Sequence, residues 1–216
     1  MKKSRKLVAA ISAAVLLSGV SYTNAEVFAD TGQETSVENI ASAELSYNYK
    51  SATYGYRIMC PRTPVGVIPA SALFENREGE VLIFENEGYH IKYAWVVLVH
   101  AFPEEALPDL NAIDPDEAAE LLKKIMGSNG YEGIMLINLS EDNKAIFATT
   151  AKEVEIDEDG DGVTDATATA DTQMAVLFFR GKNGERYGLE LIDNPDLRAA
   201  SVSALLEGAR TMKSSL

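Results

Sequence analysis

The sequence predicts an α+β fold: a single domain of mostly antiparallel sheet flanked by two amphipathic helices. Two observations predict it. Apolar residues recur at period two in runs joined by hairpin-length links, which suits antiparallel pairing. Two further segments carry apolar residues at helical spacing, and each must cover a sheet face to bury its stripe. The 216-residue length and 46% hydrophobic content fit one globular unit.

The strand pattern begins where Tyr47 and Tyr49 alternate, and then Tyr54, Tyr56, Ile58 and Cys60 share one face at period two. Gly55 permits a bulge. Pro61, Pro64, Gly66 and Pro69 are expected to interrupt regular structure. Residues 80–85 and 88–102 form the next strand pair, with a turn at Asn86-Glu87-Gly88. In the second of these, Tyr89, Ile91, Tyr93, Trp95, Val97 and Val99 share one face. The other face is polar early and apolar late, so the later half should be buried on both sides as in a central strand.

Asp114, Pro115 and Glu117 form an N-cap, a first-turn proline and a capping box, and Ala118, Leu121, Leu122, Ile125 and Met126 supply the stripe of the first helix. Strands over 131–139 and 144–156 follow, then a pair over 172–180 and 185–192. The last helix is expected to start at Asn194-Pro195-Asp196, with Leu197, Val202, Leu205, Leu206, Ala209 and Met212 on its apolar side.

Residues 1–25 have the pattern of a secretory signal peptide. Lys2, Lys3, Arg5 and Lys6 precede an apolar run, Leu7–Val20, which is too short for a membrane span, and a small-residue exit at Thr23-Asn24-Ala25 or alternatively at Val27-Phe28-Ala29. Residues 26–44 are a flexible acidic leader, and 45–216 make up the domain. The chain is therefore expected in the periplasm, outside the cell or at its surface, with no membrane span after cleavage. Its net charge is −14, and without residues 1–25 it would carry 15 Lys+Arg against 33 Asp+Glu. Such a surface excludes a nucleic-acid partner, which needs cations against phosphate.

The segment Gly55-Tyr56-Arg57-Ile58-Met59-Cys60-Pro61 resembles the GYxIxxP opening strand of PsbP-like proteins, a family that includes the photosystem II oxygen-evolving subunit and bacterial exported relatives. The ending is also similar: a strand pair, a short polar link and a closing amphipathic helix. The Trp that often follows the opening Pro is replaced here by Arg62-Thr63-Pro64. The resemblance implies an α-β-α sandwich and an accessory or binding protein, and no catalytic motif comes with it.

The sharpest chemical signal is 157–165, Asp-Glu-Asp-Gly-Asp-Gly-Val-Thr-Asp. Calcium takes six to eight oxygens, and carboxylates at alternate positions of a tight loop converge on one centre. In the EF-hand register, Asp157, Asp159, Asp161 and Asp165 stand at positions 1, 3, 5 and 9, with the Val163 carbonyl at 7 and Gly162 at the sharp turn. The segment resembles the Asp-x-Asp-x-Asp-Gly-x-x-Asp calcium loops of bacterial exported proteins and thrombospondin type 3 repeats. Position 12 is Ala168, so the bidentate glutamate must be replaced by Asp171, Glu155 or water. The expected dissociation constant is on the order of 10⁻⁴–10⁻³ M.

Other chemistry is thinly marked. His90 and His100 lie ten residues apart on one strand, about 33 Å, too far to share a metal. Lone Cys60, at strand period, suits a small buried apolar position. Tyr47, Tyr49, Tyr54, Tyr56, Tyr89, Tyr93 and Trp95 suit cross-strand packing better than a ligand groove. Asn138-Leu139-Ser140 fits a glycosylation sequon. No nucleophile elbow, metalloprotease helix or phosphate loop is present. The reading is an exported non-enzymatic accessory or binding protein with an unidentified protein or small-molecule partner in the cell envelope. The alternatives are a secreted hydrolase with an unlocated carboxylate pair and a structural envelope assembly protein.

Overall fold

Strand alternation sorts the apolar side chains onto two faces of one large sheet. The computed structural model describes residues 44–102, 108–126, 131–150, 153–156, 166–169, 174–181, 184–195 and 197–214. Its strands are β1 (Tyr47–Lys50), β2 (Tyr56–Cys60), β3 (Gly66–Pro69), β4 (Glu78–Glu87), β5 (His90–Val99), β6 (Tyr131–Ser140), β7 (Asn143–Thr150), β8 (Glu153–Ile156), β9 (Ala166–Thr169), β10 (Met174–Arg180), β11 (Arg186–Asp193) and β12 (Lys213–Ser214). The helices are α1 (Pro115–Met126) and α2 (Ala199–Thr211).

Seven strands form an antiparallel sheet in the order β3-β4-β5-β11-β10-β7-β6. A smaller sheet has the order β1-β2-β12, and β8 pairs with β9 alone. The expected α+β class with antiparallel sheet and two helices is observed in a single domain. β5 is an interior strand and its residues 93–99 are buried on both sides, as the late apolar run required.

Two buried clusters lie against the large sheet. One joins Leu82, Trp95, Val97 and Leu177 to Tyr56 and Ile58 of β2 and to Val202, Leu205 and Ala209 of α2. The other joins Val81, Val96, Leu98 and Val176 to Phe102 and Leu110 and to Ala118 and Leu122 of α1. The helices thus contribute to different clusters. Within the first, Trp95 sits edge-on to Phe84, their ring centroids 5.4 Å apart. Its indole N–H donates to the Tyr93 hydroxyl at 3.2 Å. Arg198 covers the Tyr93 ring at 5.7 Å.

The α1 capping box forms as expected: the Glu117 N–H donates to Asp114 Oδ1 at 2.9 Å, and the Asp114 N–H donates to Glu117 Oε2 at 3.1 Å. Elsewhere the structure corrects the sequence. The proline-rich stretch after residue 61 contains strand β3, because it lies on a sheet edge where a missing N–H breaks no ladder. The single strand expected over 144–156 is two. β7 ends at Thr150, whose hydroxyl accepts the Met174 N–H at 2.8 Å, and β8 then pairs with β9.

The turn expected at 86–88 falls one residue later, at Gly88-Tyr89. This leaves Tyr89 fully exposed, and Ile91 packs with the α1 cluster. The register slips in β4 between Ile83 and Asn86 accompany that change of face. The last helix begins at Ala199 instead of 194–196. Buried Asp193 accepts the Arg198 N–H at 3.0 Å and holds its guanidinium at 2.6 Å, which ties 193–198 into a turn. Residues 1–43, where the sequence leads one to expect a signal peptide and most of a leader, lie outside the described residues. Among the described residues no helix is long and apolar enough to cross a membrane.

Candidate functional site

The sequence-predicted calcium residues Asp157, Asp159, Asp161, Val163 and Asp165 all lie outside the described residues. Their flanks do not. β8 and β9 are antiparallel, with Glu153 opposite Thr169 and Ile156 opposite Ala166. The two ends of the acidic segment therefore leave neighbouring strands. Among the described residues no group of three or more His, Cys, Asp or Glu is placed to hold a metal.

His90 and His100 stand at opposite ends of β5 and are both exposed. His100, at φ 50°, places Nδ1 3.1 Å from Glu185 and Nε2 3.9 Å from Glu78. The two carboxylates thus approach opposite sides of the ring. That geometry ties the rim of the sheet together and does not converge on one ion.

A cleft of about 590 Å³ opens where three segments distant in sequence meet. The stretch before α1 supplies Asp109, Leu110 and Asn111, the β6–β7 turn supplies Ser140, Asp142, Asn143 and Lys144, and the end of β10 supplies Arg180. Asn111 donates its side-chain N–H to Asp109 Oδ1 at 3.1 Å and to the Asp142 carbonyl at 3.2 Å, joining two walls. Asn143 donates to the Arg180 carbonyl at 3.0 Å, joining the third. The Arg180 guanidinium lies 5.8 Å from the centre of the Phe102 ring, which fixes its direction. The cleft therefore presents both charge signs and amides, held by hydrogen bonds that cross it.

Two buried glutamates complete the chemistry, one on each face of the sheet. Glu80 of β4 accepts the Tyr56 hydroxyl at 2.7 Å and the Tyr49 hydroxyl at 3.2 Å on the same oxygen, linking the small sheet to the large one. Burial raises both phenols above their ordinary value, and the Glu80 charge and hydrogen bonds raise them further. Glu190 of β11 faces the other way and is 5% exposed. Burial pushes its carboxyl up to about 7, with Arg77 pulling in the opposite direction. Burial also pushes the Cys60 thiol up to about 12, which makes it an inert core residue as its period implied.

Sequence reasoning missed the cleft and both carboxylates. Neither glutamate carried a signal of its burial, since Glu78 precedes Glu80 and Gly188 precedes Glu190 on the same strand faces. The cleft had none beyond ordinary turn residues, because its walls come from three separate regions.

No family model matches the chain, and no curated protein matches it. Among solved structures it is similar to the solution structure of cyanobacterial PsbP (CyanoP) from Synechocystis sp. PCC 6803, at 13% sequence identity and a TM-score of 0.44, with 82% of this chain and 95% of that chain covered.

Proposed function

We propose that this chain is an exported, non-enzymatic accessory or binding protein that recognises a cell-envelope partner through the rim cleft. Residues 1–25 act as its signal peptide, 26–44 as a leader and 45–216 as an α-β-α sandwich of PsbP-like type. The observation that carries the reading is the cleft itself. Its charged and amide groups are cross-braced and open to solvent, while the sheet faces beside it are filled by apolar side chains. Recognition needs prepositioned polar groups at an accessible edge, and this edge supplies them.

One calcium ion in 157–165 stiffens the β8–β9 hairpin, with Asp157, Asp159, Asp161, the Val163 carbonyl and Asp165 as ligands. The strand register supports this reading. Ile156 and Ala166 are directly opposed, so the residues flanking 157–165 are held at the spacing of paired strands. Five carboxylates gathered in nine residues, Glu158 among them, repel one another until a cation joins them.

The test is capture from envelope extracts on the immobilised chain, alongside an Asn111→Ala, Lys144→Glu double variant of unchanged melting temperature. A partner retained by the wild type and released by the variant is the expected result. Equal retention of every component by both overturns the cleft as the binding surface.

A further inference from the structure

Leu189 and Leu191 point into the α2 cluster, which places Glu190 between them on the α1 side of the sheet. There it stands opposite Val96 of β5 and Val176 of β10, both buried. Glu80, the other inward glutamate, is satisfied by two tyrosine hydroxyls. The Glu190 side-chain carboxyl accepts no hydrogen bond from any described residue. A carboxylate in this position has given up water without a substitute, which disfavours its charged form.

The ionisable groups on the covering elements are few. The acids and lysines of α1 and of 108–114 are exposed, as are Glu75, Glu78 and Glu132. Among described residues, the groups whose charge reaches Glu190 are Arg77 and Tyr131. Arg77 is already committed elsewhere, donating Nη1–H to the Ala101 carbonyl at 3.2 Å.

We infer that Glu190 is a proton-operated latch: neutral, it completes the apolar face beneath α1, and ionised, it loosens the elements packed there. The sign follows from the raised folded value. The stabilisation is complete below the unfolded carboxyl value of 4.5, is lost as pH rises through about 7, and changes no further above that.

The experiment is urea unfolding of the full chain between about pH 5 and pH 9, with the wild type beside Glu190→Gln. The wild-type folding constant should fall by up to about tenfold per pH unit between about pH 5 and pH 7, relative to the variant, and hold level above that. Hydrogen exchange over 118–122 and 94–98, corrected for intrinsic rate, should quicken as pH rises from about 5 to about 7 in the wild type alone and then level off. Parallel profiles in the two proteins overturn the inference. If Glu190→Gln does not fold, the wild-type infrared difference spectrum decides: a protonated-carboxyl stretch present near pH 6 and gone near pH 8 supports the latch, and its absence contradicts it.

Discussion

Gly208 shows how a residue's meaning depends on what faces it. In the middle of α2 a glycine ordinarily costs stability, and alanine would recover about 1 kcal/mol. Here a Cβ would meet the Trp95 ring at 2.6 and 2.7 Å and the Met59 carbonyl at 3.1 Å. Trp95 is fully buried against Phe84, so its ring has nowhere to move. Gly208→Ala should therefore destabilise the fold by roughly 1–3 kcal/mol, read from urea midpoints. A gain would mean that α2 does not sit on Trp95. Neither this contact nor the burial of Glu80 and Glu190 was legible in the sequence, because each depends on which strands become neighbours.

Elements were more legible where local chemistry alone decides them. Asp114, Pro115 and Glu117 mark the start of α1 without reference to anything distant, and the capping box is there. The start of α2 was misplaced because Asp193, a strand residue, binds Arg198 and delays the helix. β3 was hidden by Pro69 and the prolines just before it, and Pro69 is harmless only on an edge. The β8–β9 hairpin yields the prediction at this scale. At free calcium ten times the dissociation constant, mass action adds about 1.4 kcal/mol. The melting temperature should rise with millimolar calcium, fall with EDTA, and lose both responses in Asp161→Asn. No shift in either condition, with no heat on calorimetric titration, removes calcium from the account.

The whole molecule depends on pairings between distant segments. β11 lies between β5 and β10, so the sheet closes only after a strand near the end of the chain returns to its centre. Periodicity announced the strands and the class, but it carries no record of their order. The cleft is a product of that order: residues 108–111, 140–144 and 180–181 meet because β10 and the β6–β7 hairpin come together beside the segment that leads into α1. That is why ordinary turn residues became the candidate site, while the acidic segment stood out from composition alone.

Hydrogen exchange on the chain with its captured envelope partner tests the central claim most directly. Binding should protect 109–111, 140–144 and 180–181 and leave β2 and α2 unchanged. Protection confined to β1, β2 and α2, with the cleft still exchanging freely, would contradict it.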